Sequence, residues 1–159
     1  MCAYSFKGAN LRMTDQERVI QHGPKTVFES PRERAILVGV ERPNAEWSLA
    51  SSLAELERLA DTAGADTVAI TTQKLEAPNP RTFVGSGKAE EIASLCRSYA
   101  ADIVIFDDEL SPSQQSNLEK MVGKNVKVID RTALILDIFA LHASSKEGRL
   151  QVKLAQNQY

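Results

Sequence analysis

Four groups of residues in this sequence have types and spacings suited to chemistry. The first is Phe83-Val-Gly85-Ser-Gly87-Lys88, a glycine-rich stretch ending in lysine just before a helix-forming run. Backbone amides at a helix start, with an ammonium behind them, suit a phosphate. The spacing is not that of a GxxxxGK[ST] nucleotide loop. Its first glycine would fall at Thr82, and the residue after Lys88 is Ala89 where Ser or Thr would hold magnesium. Gly85, Gly87 and Lys88 stand as candidates for a phosphate or RNA contact. The plainer expectation is a tight turn in which glycine supplies a positive φ.

The second group is Asp107-Asp108-Glu109. Three acids at the carboxyl end of a strand could hold Mg²⁺. They could equally be solvated loop residues placed favourably before a helix N-terminus. No second acidic cluster and no nucleophile accompanies them. The third is Asp130-Arg131-Thr132, with Asp130 expected to cap a helix and Arg131 suited to clamp an acid or a phosphate. The fourth is a basic stripe, Lys146, Arg149 and Lys153, which is either a solvated helix face or a track for a phosphate backbone. His22 and His142 are far apart in sequence. Cys96 falls on the apolar side of its helix and reads as an inert core thiol.

These groups need a scaffold, and hydrophobic periodicity supplies one from Arg34 onward. Short apolar runs at Ala35–Val40, Asp66–Thr72, Ile103–Phe106 and Val126–Ile129 predict strands, the first of them buried on both faces. Between them, Leu49, Leu53, Leu56, Ala60 and Ala63 recur at helical spacing. Ser48 or Ser52 would cap that helix, with Ser52 and Glu55 spaced as a capping box and Gly64 placed to end it. Lys88–Tyr99 is a second helix, with Ala89, Ile92, Cys96 and Tyr99 on one side. Ser111-Pro112-Ser113-Gln114 opens a third through a capping box with proline at the first position. Thr132–Ala143 is a fourth, apolar nearly all round and so expected to be sandwiched. Four βα repeats predict an α/β fold, a small parallel four-stranded sheet with flanking helices and right-handed crossovers.

The ends differ from this middle. Residues 1–33 are polar and mixed in charge, and read as a loosely ordered extension with one short element near Gln16–His22. Residues 34–143 form the α/β unit. Residues 144–159 begin another helix, with Ser144 and Glu147 spaced as a capping box and Leu150 and Leu154 four apart. That helix meets no stop signal before Tyr159, so the sequence is expected to be cut in mid-element.

Composition narrows the function classes. The chain has 159 residues, 43% hydrophobic and 25% charged, with a net charge of −2. Wholesale disorder and a generally basic nucleic-acid glove are excluded, and a local basic patch is not. No apolar run is long enough to span a membrane, and no secretory signal is expected. Two cysteines, Cys2 and Cys96, fit a reducing cytosol, so the expected location is cytoplasmic.

From Pro80 onward the chain resembles the amino-terminal domain of HflX-type ribosome-associated GTPases. The segments that carry the likeness are Pro80-Arg-Thr-Phe-Val-Gly-Ser-Gly-Lys-Ala-Glu-Glu91, Phe106-Asp-Asp-Glu-Leu-Ser-Pro-Ser-Gln114, Asn117-Leu-Glu119 and Val128–Ala140, continued by Glu147–Tyr159. Arg34–Val40 and Leu49–Gly64 fit more loosely. The resemblance implies an α/β subdomain, then a long helical hairpin of which 144–159 would be the first turns, then a G domain. It implies large-subunit and rRNA partners, and separation or rescue of stalled ribosomes. GTP and Mg²⁺ would be bound in a G domain beyond Tyr159, so this chain alone would be a docking and regulatory module and not the GTPase. Gly85, Gly87, Lys88 and Arg131, then Lys146, Arg149 and Lys153, are the expected phosphate or rRNA contacts. The amino-terminal domain has also been linked with adenine nucleotides. Two other readings of the residues stay open: a stand-alone Mg²⁺-dependent phosphoryl-transfer enzyme using Asp107, Asp108 and Glu109, and an ATP-binding regulatory module using Lys88.

Overall fold

The computed structural model describes residues 31–143 in full, together with the strands Val19–His22 and Lys25–Phe28. The chain divides into two units, 1–32 and 33–159. In the first, β1 (Val19–His22) and β2 (Lys25–Phe28) pair antiparallel, with Val19 opposite Phe28 and Ile20 opposite Val27. The sequence suggested one short element here. Its two short apolar pairs instead stand opposite each other in a two-stranded ladder, which one run read in isolation does not reveal.

The second unit runs β3 (Glu33–Glu41), α1 (Leu49–Thr62), β4 (Ala65–Lys74), α2 (Ser86–Ser98), β5 (Ile103–Phe106), α3 (Pro112–Val122), β6 (Lys127–Asp130) and α4 (Arg131–Ala143). The four strands form one parallel sheet in the order β4-β3-β5-β6. The expected α/β class and the four βα repeats are present.

Side-chain alternation along β3 builds two cores. Ile36, Val38 and Val40 face α2 and α3, where Ala89, Ile92, Cys96, Leu118 and Val122 meet them. Ala35 and Leu37 face the other way, toward Leu53, Leu56 and Ala60 of α1 and Leu134 of α4. A strand stretch with both faces covered must be apolar, as β3 is from Ala35 to Val40.

Capping follows the sequence with one change. Ser111 and Gln114 close the expected box at α3. At α1 the cap is Ser48, whose hydroxyl accepts from the Ser51 amide, and no Ser52–Glu55 box forms. Ser52 and Glu55 lie inside the helix and are used elsewhere.

The expectation that α4 is sandwiched is wrong for the described residues. Leu134 is buried, but Leu136 and Phe139 are 61% and 66% exposed and Leu141 is 55% exposed. The helix lies beside α1 over β5 and β6, and Leu134 and Ile138, one turn apart, make its contact with the core. A helix on one face of a sheet can bury only the stripe turned toward it. Ser144, Glu147, Lys146, Arg149, Lys153, Leu150 and Leu154 lie outside the described residues, as does Cys2.

Candidate functional site

Parallel strands bring their carboxyl ends to one edge, and this sheet has a topological switch point there. From β3 the chain moves to β4 on one side, then crosses to β5 on the other. Open α/β sheets bind ligands outside the strand ends at such a point. Here the loop after β3 and the loop after β5 meet. A groove of about 930 Å³ lies between them, lined by Arg42, Asn44, Trp47, Ser48, Ser52, Asp107 and Asp108 among others.

Arg131 organises one wall. Phe106 is in register with Asp130, so Asp107 comes level with Arg131. The Arg131 guanidinium donates to Asp107 Oδ1 through Nε (3.1 Å) and also through Nη2. Nη1 donates to Glu55 Oε1 (2.9 Å), and Nη2 reaches the Ser52 carbonyl (2.9 Å) and hydroxyl (3.1 Å). Ser52 Oγ donates in turn to Asp107 Oδ2 (2.6 Å). The side chains of Asp107 and Arg131 are only 9% and 22% exposed. This network ties α1, the end of β5 and the start of α4 together. Asp130 adds to it, accepting from the Ala133 amide as the α4 cap and from the Leu110 amide.

Arg42 forms the second wall. Its Nη2 donates to Asp108 Oδ1 (3.1 Å), and the guanidinium lies 5.4 Å from the centre of the Phe83 ring. Burial pushes the Asp108 carboxyl above its ordinary pKa, the Arg42 charge opposes this, and Asp107 adds to it. The three acids do not fit a magnesium site. Both Asp107 oxygens are engaged by Arg131 and Ser52, and Asp108 is engaged by Arg42. Among the described residues, no group of three or more metal-ligating side chains converges.

The glycine-rich segment runs from the end of the loop between β4 and α2 into the first turn of α2. Glycine does not supply a positive φ there. Gly85 has φ −64 and caps α2, while the strained residue is Phe83, with φ 68. The Val84 amide donates to the Thr82 carbonyl (2.7 Å), the pattern of a γ-turn centred on Phe83. Phe83 tolerates this because its ring is buried edge-on against Phe106. Gly85 lies close to the Gln73 side chain: an added Cβ would lie 3.2 Å from Gln73 Nε2, and Gln73 Oε1 accepts from the Gly85 amide. Lys88 turns to Thr71 Oγ1 (3.0 Å) and Glu91 (3.1 Å). Thr71 Oγ1 also donates to Glu91, and with Lys88 it holds the Glu91 carboxyl below its ordinary pKa. Thr82, Phe83 and Val84 are buried, so this loop does not fit the phosphate cradle of a nucleotide-hydrolysing site.

Comparison with known proteins places this arrangement. The family model for "GTP-binding GTPase N-terminal" matches residues 50–140. The chain belongs to the GTP-binding GTPase N-terminal family. It is similar to the GTPase HflX of Alkalihalophilus pseudofirmus, 49% identical over 127 residues, covering 80% of this chain and 30% of the relative. The GTPase HflX of Flavobacterium psychrophilum is 47% identical over 125 residues, covering 78% and 30%. That of Escherichia coli is 49% identical over 104 residues, covering 65% and 24%. The chain therefore spans less than a third of the length of these relatives. Its fold is similar to that of part of a GTP-binding protein from Sulfolobus solfataricus solved in complex with GDP, at a TM-score of 0.55 and 24% identity, covering 80% of this chain and 36% of that one.

The HflX-like N-terminal region thus holds Asp107, Asp108, Glu109 and Arg131 at one edge of its sheet, with Gly85, Gly87 and Lys88 at the start of α2. Sequence reading missed Arg42, Ser52 and Glu55 as parts of the same edge. The signal for Ser52 and Glu55 was present but pointed to a cap. Their neighbour Arg131 is 79 residues from Ser52, and only the strand order brings the two together.

Proposed function

We propose that this HflX-like region is a docking and regulatory module for the large ribosomal subunit. The observation that supports this reading is the family match over residues 50–140, with bacterial GTPase HflX relatives near half identity. In this reading, splitting or rescue of stalled ribosomes belongs to the full-length relatives. GTP and Mg²⁺ are bound by a G domain that this region restrains, and the work takes place in the cytoplasm. Gly87, with Lys146, Arg149 and Lys153, contributes phosphate or rRNA contacts; the Lys88 ammonium is met by Glu91 and Thr71 and the Gly85 amide by Gln73, and we assign these two to holding the loop in place. Arg131 has its charge met by Asp107 and Glu55, and we assign it to holding the module together.

A second reading, a nucleotide held in the switch-point groove, has the position of that groove in its favour. Its charge argues the other way: Glu41, Glu46, Asp107 and Asp108 line it against Arg42 alone. Cosedimentation of the chain with purified large subunits tests the docking reading. Binding that weakens steadily with salt is expected, because phosphate contacts release counterions. Absence of binding, or binding indifferent to salt, would overturn it. Calorimetry with ATP and GTP tests the second reading, and flat traces would remove it.

A further inference from the structure

The loop that carries the strained Phe83 is held from two elements, β4 and α3, and the charged side chains it exposes are Glu76 and Arg81. Asn79 and Phe83 exchange backbone hydrogen bonds of 2.9 and 2.8 Å. Gln114 of α3 donates to the Asn79 carbonyl (2.8 Å), and Gln73 of β4 accepts from the Gly85 amide. Arg81 sits within this frame with both backbone polar groups engaged. Its amide donates to Asn79 Oδ1 (2.8 Å), and its carbonyl accepts from Asn117 Nδ2 (3.0 Å). Its side chain is exposed, and among the described residues its guanidinium meets no carboxylate. Nearby cations differ: Arg42, Lys88 and Arg131 each face an acid.

These bonds, beside a positive φ on a bulky residue, fix the backbone from which Arg81 projects before any partner arrives, while its side chain stays free in solvent. Preordering removes part of the entropy that binding would otherwise lose. Strain kept in a structure points to use of the segment that carries it. We propose that Arg81 is a preformed contact for an RNA phosphate, an inference that rests on the docking function proposed above. A guanidinium fork matches phosphate oxygens in two parallel bonds. The same loop runs on into the start of α2, a 13-residue helix with no side-chain cap, so its continuation is electropositive as well.

The test is cosedimentation of the full chain with purified large subunits across a salt series, repeated with protein-free large-subunit rRNA. Arg81→Ala is expected to weaken both by about five- to tenfold and to lower the salt slope by about one. Arg81→Lys keeps the slope and loses about two- to threefold. Asn117→Ala leaves the charge in place but frees the Arg81 carbonyl, and is expected to lose about twofold at unchanged slope. Wild-type affinity and slope in Arg81→Ala would overturn the proposal. So would a loss seen with intact subunits but not with protein-free rRNA, which would make the partner an acidic protein surface. Failure of the wild-type chain to bind either target would overturn the docking reading, and this inference with it.

Discussion

Replacing Arg131 by alanine removes the tie between α1, β5 and α4, and its cost can be worked from the partners. The arm to Glu55 reaches a side chain 59% exposed, and contributes at most a few tenths of a kcal/mol. The Ser52 carbonyl lies within α1, so losing the arginine there costs little. The main loss is at Asp107, 9% exposed, which keeps only the Ser52 hydroxyl. Stranding a buried carboxylate costs about 3–5 kcal/mol, and the retained hydroxyl bond places Arg131→Ala at the low end, about 3 kcal/mol. For a domain of this size that lowers Tm by roughly 10 °C. Asp107→Asn leaves a partly hydrated guanidinium and should cost about 2 kcal/mol. The double variant should cost about 3 instead of the additive sum, a coupling of about 2 kcal/mol. Urea unfolding of the four proteins measures all of these terms. A cost below about 1 kcal/mol for Arg131→Ala, or a coupling within about 0.5 kcal/mol of zero, would refute the assignment of this network as the tie.

Three further outcomes follow from other sites. Asp108 is held above its ordinary pKa in the folded chain by burial, so the folded state keeps its proton longer; its contribution to stability is full at acid pH and is lost as pH rises through the folded value. The Tm of Asp108→Asn relative to wild type should therefore rise between pH 4 and pH 7, and a flat or falling difference would contradict this. Burial pushes the Cys96 thiol up to about 11, so iodoacetamide at pH 8 should leave Cys96 unlabelled in the native chain and label it after denaturation, as read by peptide mass mapping. At Phe83, both Ala and Gly lose the buried ring at about 3–4 kcal/mol, but Gly accepts the positive φ and should be the milder by about 1 kcal/mol. Thermal melts in which Ala is the milder would show that the φ is not a source of strain.

The sequence by itself determined the βα order, the positions of the strands, the Ser111–Gln114 box, the Asp130 cap and the burial of Cys96. Each depends on residues near one another in the chain: period-2 or period-3.6 apolar spacing, or a polar side chain reaching an amide two or three residues on. The family was legible too, because its motifs are contiguous. Strand order, and what it brings together, was not. Ser52 and Glu55 read as a local capping box, yet Ser48 takes the cap and leaves them to Arg131 and Asp107 across the sheet edge. Glycines 85 and 87 read as the source of a positive φ, yet Phe83 carries it, since only the packed ring against Phe106 and Arg42 can hold a bulky residue there. Helix α4 read as sandwiched because apolarity all round shows how much surface there is to cover. It does not show which neighbour is present to cover it, and the sheet edge turns only Leu134 and Ile138 inward. Partners such as these are separated by tens of residues, and their meeting is fixed by the crossover from β4 to β5, which no local pattern encodes.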